Sequence, residues 1–200
     1  TGQLYAFFGL LPDQNSRTFY AAGSAIALAF LCAGLLASFF HLGHPERAWR
    51  SAAMWRTSWL SREVIVLPTF MGFVFLYGVT HWFFWNMPVV ELGGSHQADT
   101  TLIIGAIGTL LSFALFICTG MIYGCLRFMQ EWHTPLTPIN FTLFGGASGF
   151  LMASIFAAYA APELVGFYAG WTAILTVLAL TGRVASLYRN SRIKPRSSLS

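Results

Sequence analysis

The 200-residue sequence contains little charge: Asp, Glu, Lys and Arg together make up 9% of it, whereas ordinary soluble domains contain about 25%. Apolar residues make up 56%, a composition typical of an integral membrane protein. The few basic residues stand beside apolar segments instead of forming a groove-reading element, which argues against nucleic-acid binding. Composition therefore predicts that the chain lies in the lipid bilayer and that it does not bind nucleic acid.

The sequence is also poor in cysteine. Its three cysteines, Cys32, Cys118 and Cys125, form no C-x-x-C pair and lie within or at the edges of apolar segments. Cysteines in such places usually behave as small hydrophobic side chains. We therefore predict three buried thiols, and no metal ion or iron–sulfur cluster held by this chain.

Long apolar runs, by contrast, are abundant. A helix rises about 1.5 Å per residue, so about 20 apolar residues are needed to cross a bilayer. The prediction is an all-α integral membrane protein, a single transmembrane helical domain over residues 1–200 that ends in a basic segment at 188–200. Its five spans lie at approximately 18–42, 61–85, 100–126, 139–161 and 164–187.

Both ends of the sequence are abrupt. The first eleven residues are apolar but too short to span a bilayer, and they carry neither an initiator Met nor the basic start of a signal peptide. The polar segment 189–200 closes the sequence without a folded element. We expect this chain to be part of a longer protein.

Two pairs of glycines predict close helix packing. Gly120 and Gly124 in the third span, and Gly145 and Gly149 in the fourth, repeat at a spacing of four residues. This spacing lets two helix backbones approach each other closely. We interpret all four as packing positions and not as functional ones.

The eleven Lys and Arg residues fall almost entirely on one face of the predicted bundle. Because successive spans alternate in direction, ten of them lie on the face that carries the connection between the first two spans, and Arg17 lies on the other. The positive-inside rule assigns the basic face to the cytoplasm. We therefore predict a multi-pass protein whose first connection and C-terminal segment are cytoplasmic.

That first connection concentrates titratable side chains where two helices meet the membrane surface. Gly43 and Pro45 predict that the first helix ends just after His41. Ser61 is the predicted N-cap of the second helix, which leaves Glu63 in the first turn, where the helix dipole favours a carboxylate. His41 and Glu63 are therefore expected at the same membrane surface.

A histidine and a carboxylate at this boundary have the chemistry that a quinol needs. A quinol loses two electrons and two protons when it is oxidised, so its site must accept protons, and histidine can do so near neutral pH. His41 could hold the ring hydroxyl, and Glu63 could relay the proton. Two plainer interpretations stay open: an interfacial histidine with a satisfied hydrogen bond, and a helix-end carboxylate paired with Arg47 or Arg62.

The same residues carry a family resemblance. His-Leu-Gly-x-Pro-x-Arg-Ala at 41–48 and Ser-Trp-Leu-Ser-Arg-Glu at 58–63 resemble the membrane anchor subunit of dimethyl sulfoxide reductase, the DmsC family. Looser similarity continues through 132–135 and 141–149. The resemblance implies an eight-helix anchor in a bacterial-type cytoplasmic (inner) membrane. It also implies that menaquinol passes electrons to a four-cluster iron–sulfur subunit and a molybdopterin catalytic subunit in anaerobic respiration.

The resemblance also ranks the site residues. His41 and Glu63 match the family's quinol-site histidine and its functionally important acidic residue, and Arg47 belongs to the same motif. The other candidates rank lower; His44, for instance, stands where the motif is variable, and with it rank Ser61 and Arg62. A quinone is the implied cofactor, without haem or metal in this chain.

Two other membrane functions are alternatives to the quinol-binding anchor. A haem-b cytochrome anchor needs paired histidines, but His81 stands 18 residues beyond Glu63, roughly 27 Å away along a helix, so it cannot share a haem with His41. A small-solute transporter usually shows charges across the membrane centre or broken helices in matching halves. Neither pattern is apparent in the sequence.

Overall fold

In the computed structural model, residues 17–40, 45–83, 88–91 and 97–193 are described, and within these ranges the chain forms five long helices. Each of the five is long and apolar enough to cross a membrane, so the predicted all-α, multi-span membrane fold is confirmed. The helices are α1 (Arg17–Phe40), α2 (Trp59–Phe83), α3 (Thr100–Gly124), α4 (Leu136–Ala160) and α5 (Val165–Ser191).

Short elements connect the long helices. A 3-10 helix, Pro45–Ala52, lies in the α1–α2 connection, and a second one, Pro162–Leu164, precedes α5. Between α2 and α3, strands β1 (Pro88–Glu91) and β2 (Gln97–Asp99) form an antiparallel ribbon that leads directly into α3. The sequence did not predict this ribbon, because three or four residues are too few to show the alternation of a strand.

Each long helix packs against the next one in the chain, so neighbours run antiparallel. The start of α1 also meets the end of α4, where the rings of Phe19 and Phe156 lie 5.2 Å apart. Helices α1 to α4 thereby form a four-helix group, and α5 packs on α4. The end of α1, the start of α2, the end of α3, the start of α4 and the end of α5 consequently share one face of the bundle, here called the corner face.

Glycine sets the distance between α3 and α4 at two positions. A Cβ atom on Gly120 would lie 2.5 Å from Pro138 Cα, and one on Gly145 would overlap the ring of Phe116. Gly124 has ordinary contact distances, and Gly149 has nothing within 4 Å among the described residues. The repeated spacing thus includes two close packing contacts, but not every glycine in the repeat is one.

Much of the helix surface is apolar and exposed, as in a bundle that meets lipid. Phe40 at the end of α1 is 81% exposed. Residues 32–40, the outer half of that helix, are all exposed. The prediction of three buried thiols is wrong for Cys32 and Cys125, which are exposed, whereas Cys118 is buried. Cys32 lies in that outer half of α1, where few described residues pack against it.

Candidate functional site

The α1–α2 connection, residues 41–58, is the part of the corner face that the sequence singles out. His41 and His44 lie outside the described residues. Arg47 lies in the 3-10 helix, and only its backbone is described. Ser61, Arg62 and Glu63 are all in α2 and are described fully, so the geometry of the site is built from them.

The prediction that Ser61 is the N-cap of α2 is wrong, because Ser58 occupies that position. The Ser58 carbonyl accepts the first helical hydrogen bond, from the Arg62 N–H at 3.3 Å, and Ser58 Oγ accepts the Ser61 N–H at 3.4 Å. The helix consequently begins at Trp59, and Ser61 is a buried residue of the first turn, 3% exposed. An earlier serine takes the cap because the turn at residues 53–57 ends directly before it.

Moving the cap changes the electrostatics of Glu63. As the fifth residue of α2, Glu63 lies just beyond the first turn, where the stabilisation of a carboxylate by the helix dipole fades. It is also only partly exposed and lies on a membrane-spanning helix. A carboxylate in such a place needs a side-chain partner, because the membrane does not supply hydrogen bonds.

Thr119 of α3 is that partner. Its hydroxyl Oγ1 lies 2.6 Å from Glu63 Oε1, and it donates a partly buried hydrogen bond between two transmembrane helices. Glu63 is the fifth residue of α2, and Thr119 stands five residues before the end of α3. Because the two helices are antiparallel neighbours, both side chains lie at the same depth below the corner face.

Sequence reasoning did not find Thr119, because a threonine within an apolar span belongs to no motif. The matching distance of the two residues from their helix ends is the signal that could have found it. Glu63 was assigned an alternative partner in Arg62 or Arg47. Among the described side chains, the carboxylate is instead bonded to the Thr119 hydroxyl.

The guanidinium of Arg62 links the α1–α2 connection to the start of α2. Its Nε donates to the Trp55 carbonyl at 3.0 Å, and its Nη2 donates to the Arg56 carbonyl at 2.9 Å. The guanidinium also stacks over the Trp59 ring, 4.3 Å from the centroid. Among the described residues, Arg62 therefore contacts the turn that precedes Glu63 and fixes its shape.

Arginine and tryptophan alternate along this connection. Stacked guanidinium and indole groups suit the interface between headgroups and hydrocarbon, where the ring is apolar and the charge remains hydrated. Three such pairs follow one another: Arg50 with Trp49, Arg56 with Trp55 and Arg62 with Trp59. The pairs are consistent with a membrane surface at the level of residues 49–62.

The α3–α4 loop also lies on the corner face and is fixed by hydrogen bonds of two side chains, those of His133 and Arg189. His133 Nδ1 lies 2.9 Å from the Gly124 carbonyl at the end of α3. Arg189 of α5 donates to the Gln130 carbonyl at 3.1 Å and to the His133 carbonyl at 3.5 Å. His133 thus has a structural role in closing α3.

The opposite face carries the other described histidine. The His81 ring lies between Tyr20 and Tyr77, with centroids 4.9 and 4.5 Å away, and its buried Nε2 has no hydrogen-bond partner among the described residues. His81 is near the end of α2, and Glu63 is near its start. The two therefore belong to different membrane surfaces, and His81 and His133 cannot jointly bind one haem.

An apolar groove of about 270 Å³ lies between α1 and α2 on the same side as His81. Ser24 contributes a hydroxyl to its described lining, and that hydroxyl lies within hydrogen-bond distance of the Tyr20 and Ala21 carbonyls, at 2.8 and 2.9 Å. Gly78 forms part of the opposite wall. Most of its lining is apolar, and no titratable group lines it within the described part of the chain.

Comparison with known proteins identifies the bundle. A family model described as "DMSO reductase anchor subunit (DmsC)" matches residues 4–197. The chain belongs to the DmsC family. The resemblance found in the α1–α2 connection is therefore confirmed, and it extends over nearly the whole chain.

The DmsC-family chain is also 58% identical over 199 residues to a sulfite dehydrogenase subunit from Allochromatium vinosum. The alignment covers 100% of this chain and 61% of that relative, so the chain spans about three-fifths of the relative's length. No solved structure matches the chain. The family and the relative together indicate a membrane anchor of an oxidoreductase complex.

Proposed function

We propose that this chain binds a quinol or quinone head at the α1–α2 connection and exchanges its electrons with a partner subunit. The observation that carries the proposal is the Glu63 carboxylate, which lies below the corner face and is bonded to Thr119 across two helices. A partly buried carboxylate on a membrane-spanning helix is a functional position by default. The membership in an anchor family supports the same assignment.

Each residue of the connection has a proposed role. His41 holds a hydroxyl of the quinol ring, Glu63 takes up or delivers a proton, and Arg47 stabilises negative charge on the ring oxygen. His44 and Ser61 have secondary roles. Ser61 is buried in the first turn of α2. The apolar surfaces of the neighbouring helices accommodate an isoprenoid tail.

The proposed partners are an iron–sulfur subunit and a molybdopterin catalytic subunit. Conversion of a quinol into a quinone releases two electrons and two protons, so electrons leave through a partner while the protons pass to groups such as Glu63. The relative is named a sulfite dehydrogenase subunit. In a complex that oxidises sulfite, electrons flow towards the quinone and Glu63 delivers protons; in a complex that reduces a sulfoxide, both directions reverse.

The proposed location is a bacterial-type cytoplasmic membrane with the corner face in the cytoplasm. All seven of the fully described arginines belong to this face, at 50, 56, 62, 127, 183, 189 and 192. The positive-inside rule favours this orientation. It also puts the stacked Arg and Trp pairs at the cytoplasmic headgroups.

Turnover of the whole complex tests the proposal. We expect His41→Ala and Glu63→Gln to lower quinone-dependent turnover by about 100-fold, the low end of the range for a lost proton-transfer group. Turnover with soluble redox dyes should be unchanged, because dyes bypass the membrane site. Glu131→Gln is the matched control, since Glu131 is an exposed carboxylate on the same face.

Quinone-dependent turnover that survives in both variants would contradict the site assignment. A haem absorption band in the purified complex that disappears with His81→Ala would favour a cytochrome anchor instead. Solute uptake by vesicles that contain the chain without redox partners would favour a transporter.

A further inference from the structure

The Thr119 hydroxyl lies within hydrogen-bond distance of two oxygen atoms. Its Oγ1 is 2.6 Å from Glu63 Oε1 on α2 and 3.0 Å from the Leu115 carbonyl one turn earlier on α3. A hydroxyl has one hydrogen to donate and two lone pairs that accept. It therefore donates to one of these oxygens at a time, and the protonation of Glu63 decides which one.

When Glu63 is ionised, the carboxylate can only accept, so Thr119 donates to it. The separation of 2.6 Å is in the range of a charge-assisted bond from a hydroxyl to a carboxylate, about 2.5–2.7 Å. When Glu63 is protonated, its own O–H donates to Thr119 Oγ1, and the Thr119 hydrogen turns to the Leu115 carbonyl. The bond between the two side chains persists, and one O–H group rotates.

Among the described side chains around Glu63, Thr119 is the one that forms a hydrogen bond with its carboxylate. On α2, the Arg62 guanidinium is engaged with the carbonyls of Trp55 and Arg56. On α3, Cys118 precedes Thr119 and its thiol is buried, but a thiol is a weak hydrogen-bond donor. From the α1–α2 connection, His41 and Arg47 are the titratable and charged groups that the proposed site brings to Glu63.

We propose that Thr119 is a positioning residue whose hydroxyl changes its hydrogen-bond direction and so keeps Glu63 in one place in both protonation states. Proton exchange with a quinol then requires rotation of O–H groups but no displacement of the carboxyl group. The link to quinol rests on the proposed function, whereas the exchange of hydrogen-bond partners does not. Two separate measurements can therefore test the two claims.

Infrared difference spectroscopy of the whole complex over a pH titration tests the exchange directly. The C=O band of protonated Glu63 is identified by its absence in Glu63→Gln. We expect Thr119→Ser to leave this band in place and Thr119→Val to move it to higher frequency, because the carboxyl group loses its partner. Thr109→Val is the matched control, since the Thr109 hydroxyl bonds to the Gly105 carbonyl of its own helix at 2.8 Å.

Quinone-dependent turnover tests the link to the site. Thr119→Val should lower it about tenfold, the factor expected for a lost hydrogen bond to a charged group, while Thr119→Ser stays within about twofold and dye-dependent turnover is unchanged. In a Glu63→Gln background, Thr119→Val should have no further effect. Thr119→Ala serves as a second variant if Thr119→Val does not assemble.

The proposal would be overturned if the Glu63 band stayed unchanged in Thr119→Val, or if Thr119→Ser were as impaired as Thr119→Val, since the methyl group would then matter and the hydroxyl would not. A shifted band with normal turnover would uphold the hydroxyl exchange and contradict its link to quinone. Failure of the proposed function alone would appear differently, as normal turnover in Glu63→Gln itself.

Discussion

Replacing Gly120 by alanine should push α3 away from α4. The added Cβ would lie 2.5 Å from Pro138 Cα and 2.9 Å from Pro138 Cβ, whereas carbon atoms pack best at about 3.5–4.0 Å. The nearest atom belongs to the backbone, so no side chain can turn aside. The two helices would have to separate by roughly 1 Å, and overpacking of this kind costs about 1–3 kcal/mol.

Two other glycines provide matched controls for Gly120→Ala. At Gly124 the nearest atom would be at an ordinary 3.5 Å, and at Gly149 no described atom lies within 4 Å. Gly120→Ala and Gly149→Ala gain the same helix propensity, about 1 kcal/mol for glycine to alanine in a helix interior, whereas Gly124 is the last residue of α3 and gains less. The difference in stability between Gly120→Ala and Gly149→Ala therefore reports the helix contact, and Gly124→Ala controls for a change at the same end of α3.

Equilibrium unfolding of the full-length protein in detergent is the appropriate assay. We expect Gly120→Ala to be less stable than Gly124→Ala and Gly149→Ala by about 1–3 kcal/mol. It should also impair quinone-dependent turnover, because Gly120 is next to Thr119 and a displaced α3 would disturb the bond to Glu63. Equal stability of the three variants would refute the close approach of α3 and α4 at Pro138.

Two further predictions concern the ends and contacts of α2, α4 and α5. Ser58→Ala should lower the free energy of unfolding by about 1 kcal/mol, because Ser58 is the N-cap of α2, and Ser61→Ala should lower it less. Chemical denaturation measures both effects. A larger loss in Ser61→Ala than in Ser58→Ala would restore Ser61 as the cap. Asn140 Nδ2 on α4 donates to Ser186 Oγ on α5 at 2.9 Å. A double-mutant cycle of Asn140→Ala and Ser186→Ala should therefore give a coupling energy of about 0.5–1.5 kcal/mol. A coupling energy of zero would show that this bond does not join α4 to α5.

The helices were the part of the fold that the sequence could predict. Apolar runs of more than 20 residues have one stable solution in a bilayer, because a helix satisfies all of its backbone hydrogen bonds internally. The ends were less certain, since Ser58 and Ser61 are both good caps and the choice depends on the preceding turn. That difference of three residues moved Glu63 out of the first turn of α2.

The candidate site was predicted in part. Glu63 could be singled out because an acidic residue within a span is unusual, but its partner on α3 depends on how α2 and α3 pack, which one sequence does not specify. The same reason applies to Cys32, whose exposure depends on which helix faces α1. Local chemistry is visible in the sequence, whereas contacts between helices are not.

Photolabelling with an azido-substituted quinone tests most directly whether the α1–α2 connection binds the quinone head. The label should be applied to the whole complex in membranes, with peptide mapping and with an excess of unmodified quinone as competitor. We predict competed labelling of peptides that contain residues 41–63 or Thr119. Labelling confined to the groove beside Gly78 on the opposite face, with residues 41–63 unlabelled, would contradict the assignment.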